Sequence, residues 1–314
     1  MRVSPFMLGS DAVGFSPSVT GAAKNLQQQH ALPPDRHRCK EYTQEIKSDR
    51  QMDKPQLDHR CKICGNRANI LGRVDFNKHC DEGRSGKLPI SGVRITYLRC
   101  TACEFLFTRD FDAWSQADFA EKIYNAEYAL VDPDFAERRP AGNASFMTQG
   151  FGDYREQISL LDYGGGAGRM MELLRANGFR VVNTYDPFSS KHNVSDGEKY
   201  DLITAFEVFE HVPDPIATMR DITNRMKPES LLVFSTLLQP ANFGAFGLSW
   251  WYVAPRNGHI SLHSQKSLAF LLKQFGLNMA SASQGLHIGF RELPHFARGL
   301  LKKKEPKPAA TPNS

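Results

Sequence analysis

Residues 158–163 form a short apolar run that ends on Asp162 and Tyr163. It is stopped by Gly164, Gly165, Gly166 and Gly168, with only Ala167 between the last two. An apolar run of this length bounded by glycines reads as a buried strand. Met170, Met171, Leu173 and Leu174 then place an apolar stripe on a helix. Glycine lets the backbone turn tightly and lets a ligand approach it. The helix start adds free N–H groups above the strand end. Few folds begin this way, and the rhythm that follows narrows them further. Gly178 stands where a helix C-cap belongs, and 179–185 is a second strand ending in Asp186 and Pro187. Another strand covers 200–206. Asp214 and Pro215 supply an N-cap and a first-turn proline, and Ile216, Met219, Ile222 and Met226 line one helical face up to Lys227 and Pro228. A strand at 231–236 follows. Leu268, Leu271, Leu272 and Phe275 make the next helical stripe, closed by Gly276, and 280–284 and 287–291 are the last two strands. Strands alternating with helices predict an α/β fold, a Rossmann-like, doubly wound, mostly parallel sheet.

The glycine spacing is informative. A dinucleotide loop follows G-x-G-x-x-G, whereas Gly164, Gly166 and Gly168 fit G-x-G-x-G and residue 169 is Arg. That spacing argues against an oxidoreductase. Asp162 stands two residues before the first glycine, and Asp186 ends the second strand. A carboxylate at Asp186 either accepts hydrogen bonds from both hydroxyls of a ribose or caps the turn before Pro187. Only residues 187–199 separate the second strand from the next, so a third strand is short or missing, with Asp196 as a weak stand-in for the acid that would follow it.

Six cysteines occur in a chain without a signal-peptide core and without an apolar run near the roughly 20 residues of a membrane span. The expected location is the cytoplasm, where disulfides are disfavoured. Cys61 and Cys64, and Cys100 and Cys103, are each spaced C-x-x-C. Two such pairs supply the four thiolates of a tetrahedral structural zinc site with no open position. His79 and Cys80 lie between the pairs as competing ligands, and Cys39 is left over.

The glycine loop, Asp186 and the string Phe206, Glu207, Val208, Phe209, Glu210, His211, Val212, Pro213, Asp214, Pro215 resemble class I S-adenosylmethionine (SAM)-dependent methyltransferases, the string being similar to the ubiquinone-biosynthesis type. The resemblance covers about residues 150–290. It implies that Gly164, Gly165, Gly166 and Gly168 cradle SAM, that Asp162 supports its methionine end and Asp186 its ribose, that Phe188 packs on adenine, and that Phe206 and Glu207 lie near the methyl group. A zinc-ribbon-like module followed by this fold resembles the sugar C-methyltransferases acting on nucleotide-linked deoxysugars. Their Tyr-x-Glu-His motif, whose histidine is a proposed general base, compares with Arg256, Asn257, Gly258 and His259. The histidine matches, while Arg256 and Gly258 replace the tyrosine and glutamate.

His259 is therefore the expected base, since neutral histidine suits proton transfer near pH 7, and His211 is the second choice. Phe243, Phe246, Trp250, Trp251 and Tyr252 either wall the acceptor pocket or cover the core. Arg256 could meet a phosphate or carboxylate, and Tyr124 and Tyr128 could close over the acceptor. The expected organisation is a disordered leader (1–55), a zinc module (56–110), a helical connector (111–150), the methyltransferase domain (151–296) and a basic disordered tail (297–314). The net charge of +5 rests largely on Lys302, Lys303, Lys304 and Lys307 in that tail, read as a solvated end rather than a nucleic-acid site. The expected function is methyl transfer from SAM to a small-molecule acceptor, with a nucleotide-linked sugar or saccharide precursor implied by the resemblance. Small-metabolite O-methylation and a non-catalytic SAM-binding scaffold are the alternatives.

Overall fold

The computed structural model describes residues 14–15, 59–189, 194–195 and 197–302. The leader over 1–55, with Cys39, lies outside them except for Gly14–Phe15, which pairs with Leu301–Lys302. Asp196 and the lysines beyond 302 also lie outside the described residues.

The strands are β1 (Ala68–Asp75), β2 (Arg94–Cys100), β3 (Leu106–Thr108), β4 (Ser159–Tyr163), β5 (Val181–Tyr185), β6 (Tyr200–Phe206), β7 (Met226–Ser235), β8 (Ser261–Leu262), β9 (Asn278–Ser281) and β10 (Leu286–Phe290). The larger sheet has the order β9-β10-β7-β6-β4-β5. Its β5-β4-β6-β7 part is parallel, and β10 runs antiparallel to β7 and β9. No strand lies between β5 and β6 among the described residues, so the sheet ends at β5.

Period-two alternation splits the side chains between two apolar layers. Leu231 and Val233 of β7 join one cluster, Leu232 and Phe234 the other, and Leu160 and Leu161 of β4 divide the same way. One layer is closed by α2 (Arg138–Phe151) and α3 (Arg169–Ala176) through Phe146, Met147, Met170 and Leu174. The other is closed by α4 (Pro215–Asn224) and α5 (Gln265–Gln274) through Met219, Ile222, Leu268 and Leu272. Each such buried side chain contributes about 1.5–3 kcal/mol. A short helix, α1 (Gln116–Lys122), opens the connector on a Ser115–Asp118 capping box.

Local signals place most boundaries. Gly178, at φ 88°, donates to the Arg175 carbonyl, and Phe179 donates to that of Leu174. This double closure of the helix end uses Phe179, the first residue of the expected second strand, and Arg180 N–H donates to the Arg155 carbonyl, so the strand starts instead at Val181. The helix before Pro228 stops at Asn224, and Met226 already pairs with Tyr200. The register then shifts before Leu202 meets Leu231, so Pro228 sits where its missing N–H breaks no ladder. The expected disordered tail from 297 begins as a packed turn. Phe296, Ala297 and Leu300 are buried, and the Phe296 ring lies 6.2 Å from that of Phe151.

The second sheet crosses the expected boundary at residue 110. Its order is β1-β2-β3-β8, and β8 comes from the far side of the sequence, with Leu106 opposite Leu262 and Phe107 opposite Ser261. A third apolar cluster joins Ile95, Tyr97 and Leu106 of this sheet to Phe119 and Ile123 of the connector and to Phe243, Trp250 and Tyr252 of the aromatic insertion. The insertion thus mainly covers a core, although Phe246 remains exposed.

Because the layers share strands and side chains, calorimetric unfolding should show one transition. Leu106→Ala should cost about 2–5 kcal/mol and shift that whole transition. Two separable transitions, with only one moved, would show that the cysteine segment folds independently.

Candidate functional site

The glycine loop stands above the ends of β4 and β5. Gly164, Gly166 and Gly168 have φ of 78°, 57° and 85°, conformations that favour glycine. A Cβ on Gly164 would come within 2.5 Å of Val208 Cγ2. One on Gly165 would overlap the Asp162 carboxylate and stand 2.7 Å from Thr184 Cγ2. At Gly166 the same construction meets open space. The loop is therefore packed on its protein side and clear at its tip.

Asp162 is buried and accepts a hydrogen bond from Thr204 at 3.1 Å. Burial pushes its carboxyl up to about 7, with the hydrogen bond opposing and the nearby Asp186 charge adding to the rise. One Asp186 oxygen accepts the Gly166 N–H at 2.9 Å, and the other accepts that of Phe188 at 2.8 Å. The residue thus caps its own turn and holds the glycine loop at once. Each oxygen keeps a second lone pair for an outside hydroxyl. The Phe188 ring is partly exposed and lies 5.1 Å from Tyr124 and 6.2 Å from Phe119. The connector therefore stands where a third strand would have ended.

After β6 the two expected residues part. Phe206 packs into the layer under α2, its ring 6.4 Å from Phe146. Its side chain is a core element. Glu207 follows at φ 55°, a left-handed conformation that is strained for a non-glycine residue. Its N–H donates to Ser235 Oγ at 2.9 Å, and the serine hydroxyl returns a bond to the carboxylate at 2.8 Å.

His211 and His259 come together, with ring centroids 4.9 Å apart. His259 Nδ1 lies 2.9 Å from the Tyr252 carbonyl. A carbonyl only accepts, so Nδ1 carries the proton and Nε2 of the neutral ring keeps the lone pair. Cys80 Sγ is 3.5 Å from the same Nδ1. Burial, reinforced by His211, holds His259 well below the ordinary histidine range, and burial lowers His211 as well. The Tyr252 hydroxyl donates to the buried carboxylate of Glu210, whose titration burial drives upward. Glu210 Oε2 and His211 Nδ1 are buried without a hydrogen-bond partner among the described residues. Glu210, His211 and His259 offer donor atoms within 4.8 Å of one another, a carboxylate and two imidazoles that suit a divalent ion.

Arg256 does not face an anion. It is buried, with its guanidinium on the Ile123 carbonyl at 3.0 Å and on Asn125 Oδ1 at 3.2 Å, because it fastens the insertion to the connector. Tyr128 is buried with its hydroxyl 3.4 Å from Asp132, and Trp251 packs on Tyr252. The sequence reading missed Asp132 and Arg139, which form a two-pronged ion pair at 2.9 and 2.8 Å and whose charges bear on His211. Nothing periodic marks either residue. Glu210 was visible beside His211, but its complete burial was not.

The four paired cysteines converge. Cys61 Sγ lies 3.6 Å from Cys103 Sγ, and Cys64 Sγ lies 3.4 Å from Cys100 Sγ. Zinc–sulfur bonds of about 2.3 Å place the sulfurs of a tetrahedron roughly 3.8 Å apart, so the donor set fits zinc. Backbone N–H groups of Ile63, Ala102 and Cys103 point at the sulfurs at 3.4 Å and would stabilise thiolates. Each knuckle ends on a left-handed residue, Gly65 at φ 70° and Glu104 at φ 63°. His79 is not a competing ligand, since its Nε2 contacts the Gly86 carbonyl at 2.9 Å. Cys80 belongs to the histidine site.

No helix among the described residues is long and apolar enough to cross a membrane. A ubiquinone biosynthesis O-methyltransferase of Glaesserella parasuis is 40% identical over 58 residues, 18% of this chain and 25% of that protein. One from Neisseria meningitidis is 29% identical over 103 residues, 25% of this chain and 43% of that protein. The chain thus matches less than half the length of these relatives. Among solved structures, an O-methyltransferase family protein from Burkholderia thailandensis is similar at 15% identity, covering 59% of this chain and 70% of that one with a TM-score of 0.34. A possible histamine N-methyltransferase from Thermotoga maritima is similar at 14% identity, covering 57% and 100%, with a TM-score of 0.36. The family model described as a methyltransferase domain matches residues 124–282, just over half of the 314 residues. That span holds the glycine loop, both strand-end acids and the histidine pair, and the chain belongs to this methyltransferase domain family.

Proposed function

We propose that the protein transfers a methyl group from SAM to a small-molecule hydroxyl or an acidic carbon, with His259 accepting the displaced proton. The observation that carries this reading is the fixed Nδ1 proton of His259. It leaves the lone pair of the neutral ring on Nε2, in a domain whose glycine loop is open at its tip. Bound SAM supplies an electrophilic methyl on a sulfonium. The loop from Gly164 to Gly168, with Asp162 and Asp186, holds it, and Phe188 with Tyr124 walls the adenine end. Glu207 braces the strand end nearest the reacting groups. Burial around His211 and His259 excludes water, and alignment of acceptor and methyl does the rest. The proton moves to Nε2 of His259, and Nδ1–H stays on the Tyr252 carbonyl. The zinc-module arrangement, which resembles the sugar C-methyltransferases, supports a nucleotide-linked sugar as acceptor. The names of the relatives support an O-methylated small molecule. Tritiated SAM offered with a panel of both acceptor classes distinguishes these.

Four cysteine sulfurs within 4.8 Å of one another support one structural zinc, held by Cys61, Cys64, Cys100 and Cys103. Elemental analysis should find one zinc per chain retained by this cluster, with loss of that metal and of thermal stability in Cys61→Ser. A wild-type protein purified without chelator and free of zinc would refute the assignment.

Asp162 gives a pH signature. SAM carries positive charge near its methionine end and favours the ionised carboxylate. Affinity should therefore rise as pH increases through about 7 and level off above it. Titration calorimetry in two buffers of different ionisation enthalpy should detect proton release near pH 6.5. Asp162→Asn should flatten the profile, and a variant with the wild-type slope would remove Asp162 from the linkage.

His259→Gln should lower turnover by about 10²–10⁴-fold and leave the dissociation constant for SAM nearly unchanged. Because burial keeps the ring neutral, the wild-type rate should hold steady down through the ordinary histidine range and fall only below it. Near-normal turnover of the variant with a true acceptor would place the base elsewhere.

A further inference from the structure

The loop bearing His259 is held largely by the segment that carries the cysteines. Tyr97, in the middle of β2 and without exposed surface, donates its hydroxyl to the His259 carbonyl at 2.7 Å. On either side of that contact, Thr108 N–H donates to the Ile260 carbonyl at 3.1 Å and Cys80 N–H to Asn257 Oδ1 at 2.8 Å. Farther back, the buried ammonium of Lys78 donates to the carbonyls of Trp250 and Val253, and Arg256 N–H returns a bond to the Lys78 carbonyl at 3.1 Å. From the opposite side the Glu210 carbonyl receives the N–H groups of Ile260 and Ser261. Residue 259 is thus gripped between β2 and the segment after β6.

Of these contacts, the Tyr97 bond is the one made to the His259 carbonyl, while the N–H of the same peptide plane, that of Ile260, is held by the Glu210 carbonyl at 2.9 Å and the His259 N–H by the Ala254 carbonyl at 3.2 Å. The hydroxyl sits in an apolar cluster, where a buried carbonyl deprived of its donor has no water to turn to. It would recover a partner only by tilting its peptide plane about the remaining Ile260 N–H bond to the Glu210 carbonyl. Rotation there moves the attached ring, and Nδ1 leaves the Tyr252 carbonyl. The ring then loses the single tautomer that keeps the lone pair on Nε2.

We infer that Tyr97 is a positioning residue for His259, its hydroxyl fixing the residue-259 peptide so that the ring holds one tautomer. The inference draws its meaning from the reading of His259 as the base, but the decisive measurement requires no acceptor. Nitrogen-15 spectra of the histidine rings, recorded on the full metal-loaded chain with SAM, should show for His259 a directly bonded proton on Nδ1 and none on Nε2. His259→Gln identifies the signals. In Tyr97→Phe that pattern should collapse to an average of the two tautomers, while metal content and SAM affinity stay within twofold of wild type. An unchanged Nδ1 pattern in Tyr97→Phe overturns the inference. Should that variant fail to fold, the unmodified chain still decides. A slowly exchanging Tyr97 hydroxyl proton, coupled through its hydrogen bond to the His259 carbonyl carbon, is expected, and a freely exchanging hydroxyl overturns the inference. The base reading fails differently: His259→Gln would keep its turnover even though Tyr97→Phe still loses the tautomer. If both readings hold, Tyr97→Phe lowers turnover at least tenfold in the wild-type background and adds no further loss in His259→Gln.

Discussion

The pairing of Leu106 and Phe107 with Leu262 and Ser261 is the constraint on which the arrangement depends. It is only two residues long, and an isolated pair of that length has no stability of its own. It persists because Leu106 and Leu262 are fully buried in a cluster fed from three parts of the chain. Ser264, just beyond, caps α5 and also donates to the Cys103 carbonyl at 2.7 Å. Gln239, at the far end of the same strand-crossing region, donates to the carbonyls of Glu104 and Leu262 at 2.8 and 3.0 Å. A cysteine knuckle, the strand that follows the histidine loop and the first turn of a helix therefore share one set of hydrogen bonds.

The same economy explains the charges. Asp162, Glu210, His211 and His259 sit in or beside a dry interior, where burial disfavours their ionised forms. A fold gains no stability from groups held this way. They persist where chemistry needs an acid or base whose state differs from its state in water. Lys78 makes the contrast. It is buried with carbonyl partners, and burial pulls it down to about 8, yet its task is to fasten a loop.

What could be read from sequence was what local chemistry decides. The glycine loop, the Asp214 cap with Pro215, the Gly178 helix end and the lack of a third strand among the described residues each follow from a few neighbouring residues. Cys61, Cys64, Cys100 and Cys103 declare themselves by spacing. The pieces that escaped depend on partners far along the chain. β8 is too short to show a period. Arg256 looked like an anion binder because its carbonyl partner, Ile123, lies 133 positions away. The packing of Phe206 into the layer under α2 escaped because strand direction, not composition, decides which face it takes. Arg139 and Asp132 meet across a turn that the sequence marks only with a proline.

The two cysteine knuckles end in the same left-handed backbone but solve it unequally. Gly65 adopts it freely, whereas Glu104 carries a side chain into a conformation that resists one. That side chain reaches Arg99 on β2 and Lys266 on α5. Replacement by glycine would relax the backbone and cut both ties, so drift at position 104 toward the residue that suits its geometry is opposed by the residue that suits its neighbours. The second knuckle is thus the one in which mutational freedom is more restricted, for a reason that lies in its backbone and not at its sulfurs.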